Sequence, residues 1–364
     1  MPRRRLSKQP IRAKGALVLE DGTRFIGQVF GYPVASAGEV VFTTGMVGYP
    51  ESLTDPSYTG QLMVMTYPLA GNYGVEPISK NPSRPQQHFE SSRIHASALI
   101  VSSLTMHPSH YRSARTLDSW LHDERIIGLS GIDTRALTQR LREHGTMLGK
   151  IVVDNEIPWY DPNKENLVDK VSIHRPLRYR GSGKRVAVVD CGVKHGILRE
   201  LISRSCDILR VPWDYPISSL KGIDGVVVSN GPGDPMMAEK TVYELKRLIA
   251  RKVPVWGICL GHQLLALALG ATTYKLPYGH RGHNQPVEDV LTRHAYITSQ
   301  NHGFAVREST LPRSAAVWFR NLNDGTHEGF KHTSLPVRGV QFHPEACPGP
   351  RDTEFLFDEF MKLL

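Results

Sequence analysis

Cysteine is scarce in this chain, with four residues among 364. All four lie in the second half, no two form a C-x-x-C pair, and their density is far below that of a disulfide-stapled domain. The sequence therefore predicts a protein of a reducing compartment, and we expect it in the cytoplasm. The four are Cys191, Cys206, Cys259 and Cys347.

Long apolar runs are missing as well. The six residues 264–269 fall far short of the roughly 18 that a membrane-spanning helix requires, so we expect no membrane partner. Metal-ligand spacing is also absent. His327 and Glu328 are followed by His332 one position out of register for H-E-x-x-H. His280 and His283 are expected to lie in a loop. The sequence thus predicts no metal site.

Acidic residues are absent from the first fourteen positions, which hold six of the 44 basic residues. The rest of the chain carries 38 basic and 35 acidic residues and is nearly neutral. A nucleic-acid-binding domain needs a basic face on its folded body, so no nucleic-acid partner is expected. The basic start is interpreted as a solvated tail. A transit peptide is the alternative, but such segments are longer and rich in serine.

The length predicts two domains. The first half shows short strands separated by turn residues, then helical spacing, which indicates a β-rich mixed α/β domain. Residues 45–60 are expected to be irregular, and Asp133 is a candidate N-cap. We divide the chain into a basic tail (1–14), a first domain (15–153), a linker (154–183) and a second domain (184–364). Predicted strands are 16–19, 24–30 and 38–44, and predicted helices are 116–125 and 133–144.

Strands alternate with helices throughout the second half, which predicts a doubly wound, mostly parallel sheet. Both halves together give an α/β fold class. Predicted strands are 185–190, 208–211, 225–229, 253–258 and 337–342, and predicted helices are 194–203, 241–250 and 261–269.

The sharpest chemical signal is the segment G-I-C-L-G, from Gly257 to Gly261, between a predicted strand and a predicted helix. It has the pattern of a nucleophile elbow in which sulfur replaces oxygen, and the flanking glycines let strand and helix approach closely. Cys259 would lie at a helix N-terminus, where the dipole favours the thiolate. A buried structural cysteine in a chance G-x-C-x-G is the alternative interpretation.

A base and its partner carboxylate are predicted 84 residues downstream, at His343 and Glu345. Residues i and i+2 of extended backbone point the same way, so the two side chains can be adjacent. His343 would exchange protons with the thiol and the leaving amine, and Glu345 would orient and stabilise the imidazolium. On its own, a His-Pro-Glu turn is more often structural.

Thiolate attack on a carbonyl also needs an oxyanion hole. The turn S-N-G-P-G-D-P, residues 229–235, follows a predicted strand, and its glycines allow backbone N–H groups to face a ligand. We predict that the N–H groups of Gly231 and Leu260 form the hole. An ordinary tight turn is the alternative.

Together, SNGPGDP, GICLGHQ and HPEA resemble the class I, triad-type glutamine amidotransferases. The segments GEVVFTTGMVGYPESLTDPSYTGQ and GIDTRALTQRLREHG of the first half resemble the small, glutamine-hydrolysing subunit of carbamoyl phosphate synthetase. The resemblance covers nearly the whole chain. It implies a Cys259, His343 and Glu345 triad. The glutamine-binding residues that it implies are Ser57, Gly231, Gly233, Leu260, Gln263, Asn301, Gly303 and Phe304. For Ser57 considered alone, a turn role is the simpler interpretation.

The resemblance further implies that the chain hydrolyses L-glutamine and delivers ammonia to a large synthetase subunit, which makes carbamoyl phosphate for pyrimidine and arginine biosynthesis. No cofactor is expected in this chain, because it contains no G-x-x-x-x-G-K-[ST] loop. ATP and Mg²⁺ are expected on the large subunit. Two alternatives stay open, an amidotransferase serving anthranilate, guanylate or cytidylate synthesis, and an inactive scaffold subunit. Cys347 replaces the small hydroxyl residue common in relatives and suggests oxidant sensitivity.

Overall fold

The computed structural model of the chain describes residues 13–78 and 85–364. Almost all of the predicted basic tail, and residues 81–84 of the inserted NPSRPQQHF segment, lie outside the described residues.

The first domain is built on a closed seven-stranded barrel, with strand order β1-β2-β6-β5-β4-β3-β7. Alternate residues of its strands point to opposite sides, as the period of two requires. Val40 belongs to the buried cluster that contains Leu137 of α3, whereas Val41 belongs to the cluster that contains Trp120 of α2. The strands are β1 (Lys14–Leu19), β2 (Arg24–Gly31), β3 (Ser36–Thr43), β4 (Gln61–Met65), β5 (Ala98–Ile100), β6 (Ile127–Ser130) and β7 (Met147–Val152), and the helices are α1 (Tyr49–Thr54), α2 (Leu117–Asp123) and α3 (Thr134–His144).

Two local predictions in this domain have different outcomes. Asp133 is the N-cap of α3, because its Oδ1 accepts a hydrogen bond from the Ala136 amide at 2.9 Å. The expectation that residues 45–60 are irregular is wrong in part. They contain α1 and a 3₁₀ turn at Pro56–Tyr58, whose buried side chains belong to the barrel's outer core. Tertiary burial of Tyr49 and Leu53 stabilises a helix too short to be recognised from local sequence.

A ten-stranded sheet forms the second domain, in the order β14-β13-β15-β16-β17-β12-β11-β9-β10-β8. Its strands are β8 (Leu177–Tyr179), β9 (Arg185–Asp190), β10 (Asp207–Pro212), β11 (Gly225–Val228), β12 (Val255–Ile258), β13 (Thr273–Asp289), β14 (Ala295–Val306), β15 (Ala315–Asn321), β16 (His327–His332) and β17 (Val337–Val340). The helices are α4 (Leu167–Val171), α5 (His195–Ser203), α6 (Glu239–Ala250), α7 (Leu260–Ala268) and α8 (Phe355–Met361).

Helices cover both faces of this sheet, as the doubly wound prediction requires. Residues of α6 and α7 pack on one face, and residues of α5 and α8 on the other. The five central strands, β10, β9, β11, β12 and β17, are paired in parallel. The remaining pairs are antiparallel. The prediction of a mostly parallel sheet is therefore correct for these five strands. The sequence did not reveal the antiparallel strands on either side of them.

The segment 154–183 holds more structure than a bare linker. It contains α4 and β8, and β8 pairs antiparallel with β10 of the second domain. The expectation that His280 and His283 lie in a loop is wrong, because both lie within the long strand β13. This segment has neither the alternation nor the apolar run by which strands are recognised, and pairing with β14 decides its conformation. No helix among the described residues is long and apolar enough to cross a bilayer.

Candidate active site

Cys259 occupies a strained turn between β12 and α7. Its φ is 55° and its ψ is −106°, a region that L-residues seldom adopt. The flanking glycines permit this turn. A Cβ added to Gly257 would lie 2.4 Å from the carbonyl oxygen of Gly261, and one added to Gly261 would lie 2.1 Å from that of Val228. The strand, the turn and the helix are therefore in direct backbone contact.

His343 and Glu345 meet just beyond the end of β17. The expectation of extended backbone here is wrong, because residues 344–345 form a turn in which the Ala346 amide donates to the His343 carbonyl oxygen at 3.0 Å. The His343 amide donates to the Ser299 carbonyl oxygen at 2.9 Å, which fixes the backbone beside β14. His343 Nδ1 and Glu345 Oε1 are 2.7 Å apart, and both side chains are buried. His343 Nε2 makes no hydrogen bond within the part of the chain that the structure describes. Glu345 thus orients the imidazole through Nδ1, and Nε2 remains available for proton transfer.

The electrostatics of this pair favour a charged imidazole. Burial by itself lowers the pKa of His343, but the Glu345 carboxylate outweighs it, and with a smaller contribution from Cys259 the pKa is raised to about 10. Burial raises the pKa of Glu345, but Lys194 and His343 outweigh burial and lower it to about 2. A proton taken from the thiol is therefore well held on His343.

Lys194, which sequence reasoning missed, completes this network. Its Nζ lies 3.1 Å from Glu345 Oε1 and donates to the Ala346 carbonyl oxygen at 2.9 Å. The side chain is buried, and Glu345 raises its pKa although burial opposes this. Lys194 stands just before α5, far from the triad in sequence, and no local pattern pointed to it.

A second residue that sequence reasoning missed contacts the sulfur. Gln341 Nε2 lies 3.6 Å from Cys259 Sγ, and Gln341 Oε1 accepts from Gln263 Nε2 at 3.0 Å. The Asn301 carbonyl oxygen lies 3.8 Å from the same sulfur. The signal for Gln341 was available, because it precedes His343 by two residues at the end of the predicted strand 337–342, and alternate side chains of a strand face the same way.

The predicted oxyanion donors come together beside the thiol. Leu260 is the first residue of α7, and a Cβ added to Gly231 would lie 2.8 Å from Leu260 Cδ2 and 2.0 Å from the Cys191 carbonyl oxygen. Neither the Gly231 nor the Leu260 amide donates a hydrogen bond to another described residue. These two amides are therefore free to donate to a ligand.

The first domain contributes directly to this site through Ser57. Its amide donates to Asp55 Oδ1 at 2.9 Å, and its Oγ accepts from Asn230 Nδ2 at 3.0 Å. Ser57 therefore lies in a turn and also at the site. The turn role and the predicted substrate-binding role are compatible.

One cavity brings the predicted substrate contacts together. Its lining includes the predicted nucleophile and all eight predicted glutamine-binding residues: Cys259, Ser57, Gly231, Gly233, Leu260, Gln263, Asn301, Gly303 and Phe304. Two charged residues that the sequence did not single out, Glu39 and Arg281, line it as well.

Known protein families match both halves of the chain. Residues 17–151 match the family model "Carbamoyl-phosphate synthase small chain, CPSase domain", and residues 187–363 match "Glutamine amidotransferase class-I". The chain is 46% identical over 363 residues to the carbamoyl phosphate synthase small chain of Clostridium perfringens, covering 96% of this chain and 99% of that one. The chain belongs to the carbamoyl phosphate synthase small-chain family.

Other members of the family are longer. The arginine-specific small chain of Neurospora crassa is 45% identical over 360 residues, which cover 96% of this chain and 80% of the relative. The multifunctional protein CAD of Squalus acanthias is 49% identical over 353 residues, 95% of this chain and 16% of that protein. The chain spans between 16% and 22% of the length of the multifunctional relatives it matches.

This member of the family also has a buried polar cluster that spacing did not predict. His280, His302 and Glu328 bring ligand-type atoms within 4.8 Å of one another. Burial lowers the pKa of His280, but Asp324 and Glu328 outweigh it and raise that pKa to about 9. The protonated His280 thus lies between Asp324, at 2.9 Å, and Glu328, at 3.4 Å, and burial raises the pKa of Glu328 although His280 opposes this.

Cys347 lies near the triad without a reactive environment. Burial raises the pKa of its thiol, with a further contribution from Glu90. A raised pKa disfavours the thiolate, the form that oxidants attack. The geometry therefore does not support the oxidant sensitivity suggested by the sequence.

Proposed function

We propose that the chain is the glutaminase subunit of a glutamine-dependent carbamoyl phosphate synthetase. One observation carries the proposal. Cys259, in a strained elbow, opens on a cavity shared by two free amides, and it interacts with a His343 that Glu345 orients through a 2.7 Å contact. This arrangement suits acyl transfer through a thioester.

The reaction follows from the roles of these groups. The Cys259 thiolate, whose proton His343 already holds, attacks the glutamine carboxamide carbon, and the Gly231 and Leu260 amides stabilise the oxyanion. His343 then protonates the leaving nitrogen, and ammonia departs. Water, deprotonated by His343, attacks the γ-glutamyl thioester and releases glutamate, which restores the thiol.

Ammonia is the useful product, and a synthetase partner consumes it. Two observations support this partner. Residues 17–151 match a domain named for the carbamoyl phosphate synthase small chain, and the first relatives are named multifunctional proteins. We propose that a large subunit, or a fused equivalent, holds ATP and Mg²⁺ and makes carbamoyl phosphate for pyrimidine and arginine biosynthesis. Cytoplasmic location remains part of the proposal, supported by four free cysteines.

The test is Cys259→Ala in the complex with the synthetase subunit. Carbamoyl phosphate synthesis from glutamine should fall to background, whereas synthesis from added ammonia should be unchanged. Cys206→Ala removes another buried thiol, which contacts Met361, and should retain both activities. Glutamine-dependent synthesis that survives Cys259→Ala would exclude the assigned nucleophile. A wild-type chain that no synthetase subunit accelerates would exclude the partner.

A further inference from the structure

Arg281, a buried arginine in the active-site cavity, has no assigned role. It lies on β13, is 4% exposed, and lines the cavity together with Cys259 and Gly303. Its guanidinium donates one hydrogen bond, from Nη1 to the Tyr278 carbonyl oxygen at 2.7 Å. Nε is buried without a hydrogen-bond partner among residues 13–78 and 85–364.

The charge of Arg281 is not neutralised by a contact within the described chain. Glu39 is the acidic neighbour in the cavity, but it forms its ion pair with Lys275, at 2.5 Å, and acts on Arg281 only over a longer distance. A buried cation without an ion-pair partner is costly, and an anion that reaches it recovers that cost. The cavity therefore favours a ligand with a negative charge near Arg281.

The free edge of the guanidinium suits a carboxylate. Because Nη1 is held by Tyr278, the Nε and Nη2 donors remain, and this pair matches the two oxygens of a carboxylate. Nη2 also lies close to Gly303, where an added Cβ would be 3.1 Å away. Gly303 lines the same cavity as Cys259.

We propose that Arg281 binds the α-carboxylate of glutamine through its Nε and Nη2 donors and thereby selects an amino acid over a simple amide. This inference rests on the proposed glutaminase function. No bond is made or broken at Arg281, which acts only by binding. The competing role is electrostatic support of Cys259, with which Arg281 also interacts.

Three amides separate these roles. Glutamine carries both α-groups, glutaramate lacks the α-amino group, and 4-aminobutanamide lacks the α-carboxylate. Ammonia release from each is measured with the full chain bound to its synthetase subunit, for wild type, Arg281→Met and Arg281→Lys. Arg204→Met is the matched control, because it removes an arginine that pairs with Glu200 and Asp358 and does not line the cavity.

Arg281→Met should lower kcat/KM about 100-fold for glutamine and for glutaramate, mainly through KM, since a charge-assisted hydrogen-bonded contact is lost. For 4-aminobutanamide it should change kcat/KM by no more than about threefold, because that amide never used the contact. Arg281→Lys should show an intermediate loss for the two carboxylates. Arg204→Met should change the three values equally or not at all.

Equal losses for all three amides in Arg281→Met would overturn the inference and assign Arg281 to Cys259 or to the fold. So would an unchanged glutamine KM. The wild-type chain gives a test that does not depend on the folding of a variant. Equal kcat/KM values for 4-aminobutanamide and glutamine would also overturn the inference. If 4-aminobutanamide turns over too slowly, its competition against glutamine gives the same comparison. A wild-type chain that releases no ammonia from glutamine refutes the proposed function instead.

Discussion

Asn301 donates a hydrogen bond from its Nδ2 to Oδ2 of Asp55, 3.0 Å away and in the other domain. Oδ1 of the same carboxylate accepts from the Ser57 amide. One buried side chain of the first domain therefore positions two predicted substrate contacts. The barrel is consequently part of the active site as well as a neighbour of it.

Asp55→Ala should impair glutamine binding as well as stability. Both hydrogen bonds are lost and the Asn301 amide is left unpaired, which costs about 1–3 kcal/mol. We expect a several-fold rise in glutamine KM with a smaller change in kcat, measured by glutamate release. Asp21→Ala removes a partly exposed carboxylate that pairs with Arg140 far from the site, and should leave KM unchanged. An unaltered KM in Asp55→Ala would contradict the positioning role.

Glu345→Gln should move the titration of His343. The carboxylate is the main group that raises this pKa against burial, so without it the pKa should fall below its ordinary value of 6.5. The imidazolium would then be lost at neutral pH, and kcat should fall at least about 100-fold. The measurement is the pH dependence of kcat and of Cys259 alkylation. Profiles that match the wild type would show that Glu345 does not act through His343.

Gly261→Ala should destabilise the second domain. The added methyl would lie 2.1 Å from the Val228 carbonyl oxygen, which cannot move without disturbing β11. We expect a loss of about 3 kcal/mol in the free energy of unfolding, from denaturant titration, because the clash is with backbone. Gly131→Ala is the control. Its methyl meets open space, and only left-handed backbone strain of about 1–2 kcal/mol remains. A loss no greater than that of the control would contradict close packing at the elbow.

His280→Asn should lower stability in a pH-dependent way. The folded-state pKa is raised from 6.5 to about 9, so the stabilisation is complete below pH 6.5 and is lost as the pH rises through 9. Its pH-dependent part is up to about 3 kcal/mol. Unfolding free energies of wild type and variant at pH 6, 7.5 and 9.5 should therefore converge. A constant difference would mean that His280 is not charged between Asp324 and Glu328.

Much of the site could be predicted because its parts have local causes. The elbow at Cys259 needs glycine on both sides, and His343 and Glu345 are two residues apart, although a turn rather than extended backbone brings them together. Gln341 obeys the same spacing and could have been found. Lys194, Asp55 and Arg281 could not, because each reaches the site from a different element and nothing in its own neighbourhood marks it.

The sequence by itself determined the alternation of strands and helices, the strained turn at Cys259 and the closeness of His343 to Glu345, since these depend on side-chain periodicity, on short spacing and on backbone freedom at a few glycines. Tertiary structure alone decided the antiparallel half of the large sheet, the barrel contacts at Asp55 and Ser57, and the buried charges around Glu345 and in the cavity. The pKa values of these buried groups depend on which residues from distant parts of the chain pack around them and exclude water. Local sequence does not determine that packing.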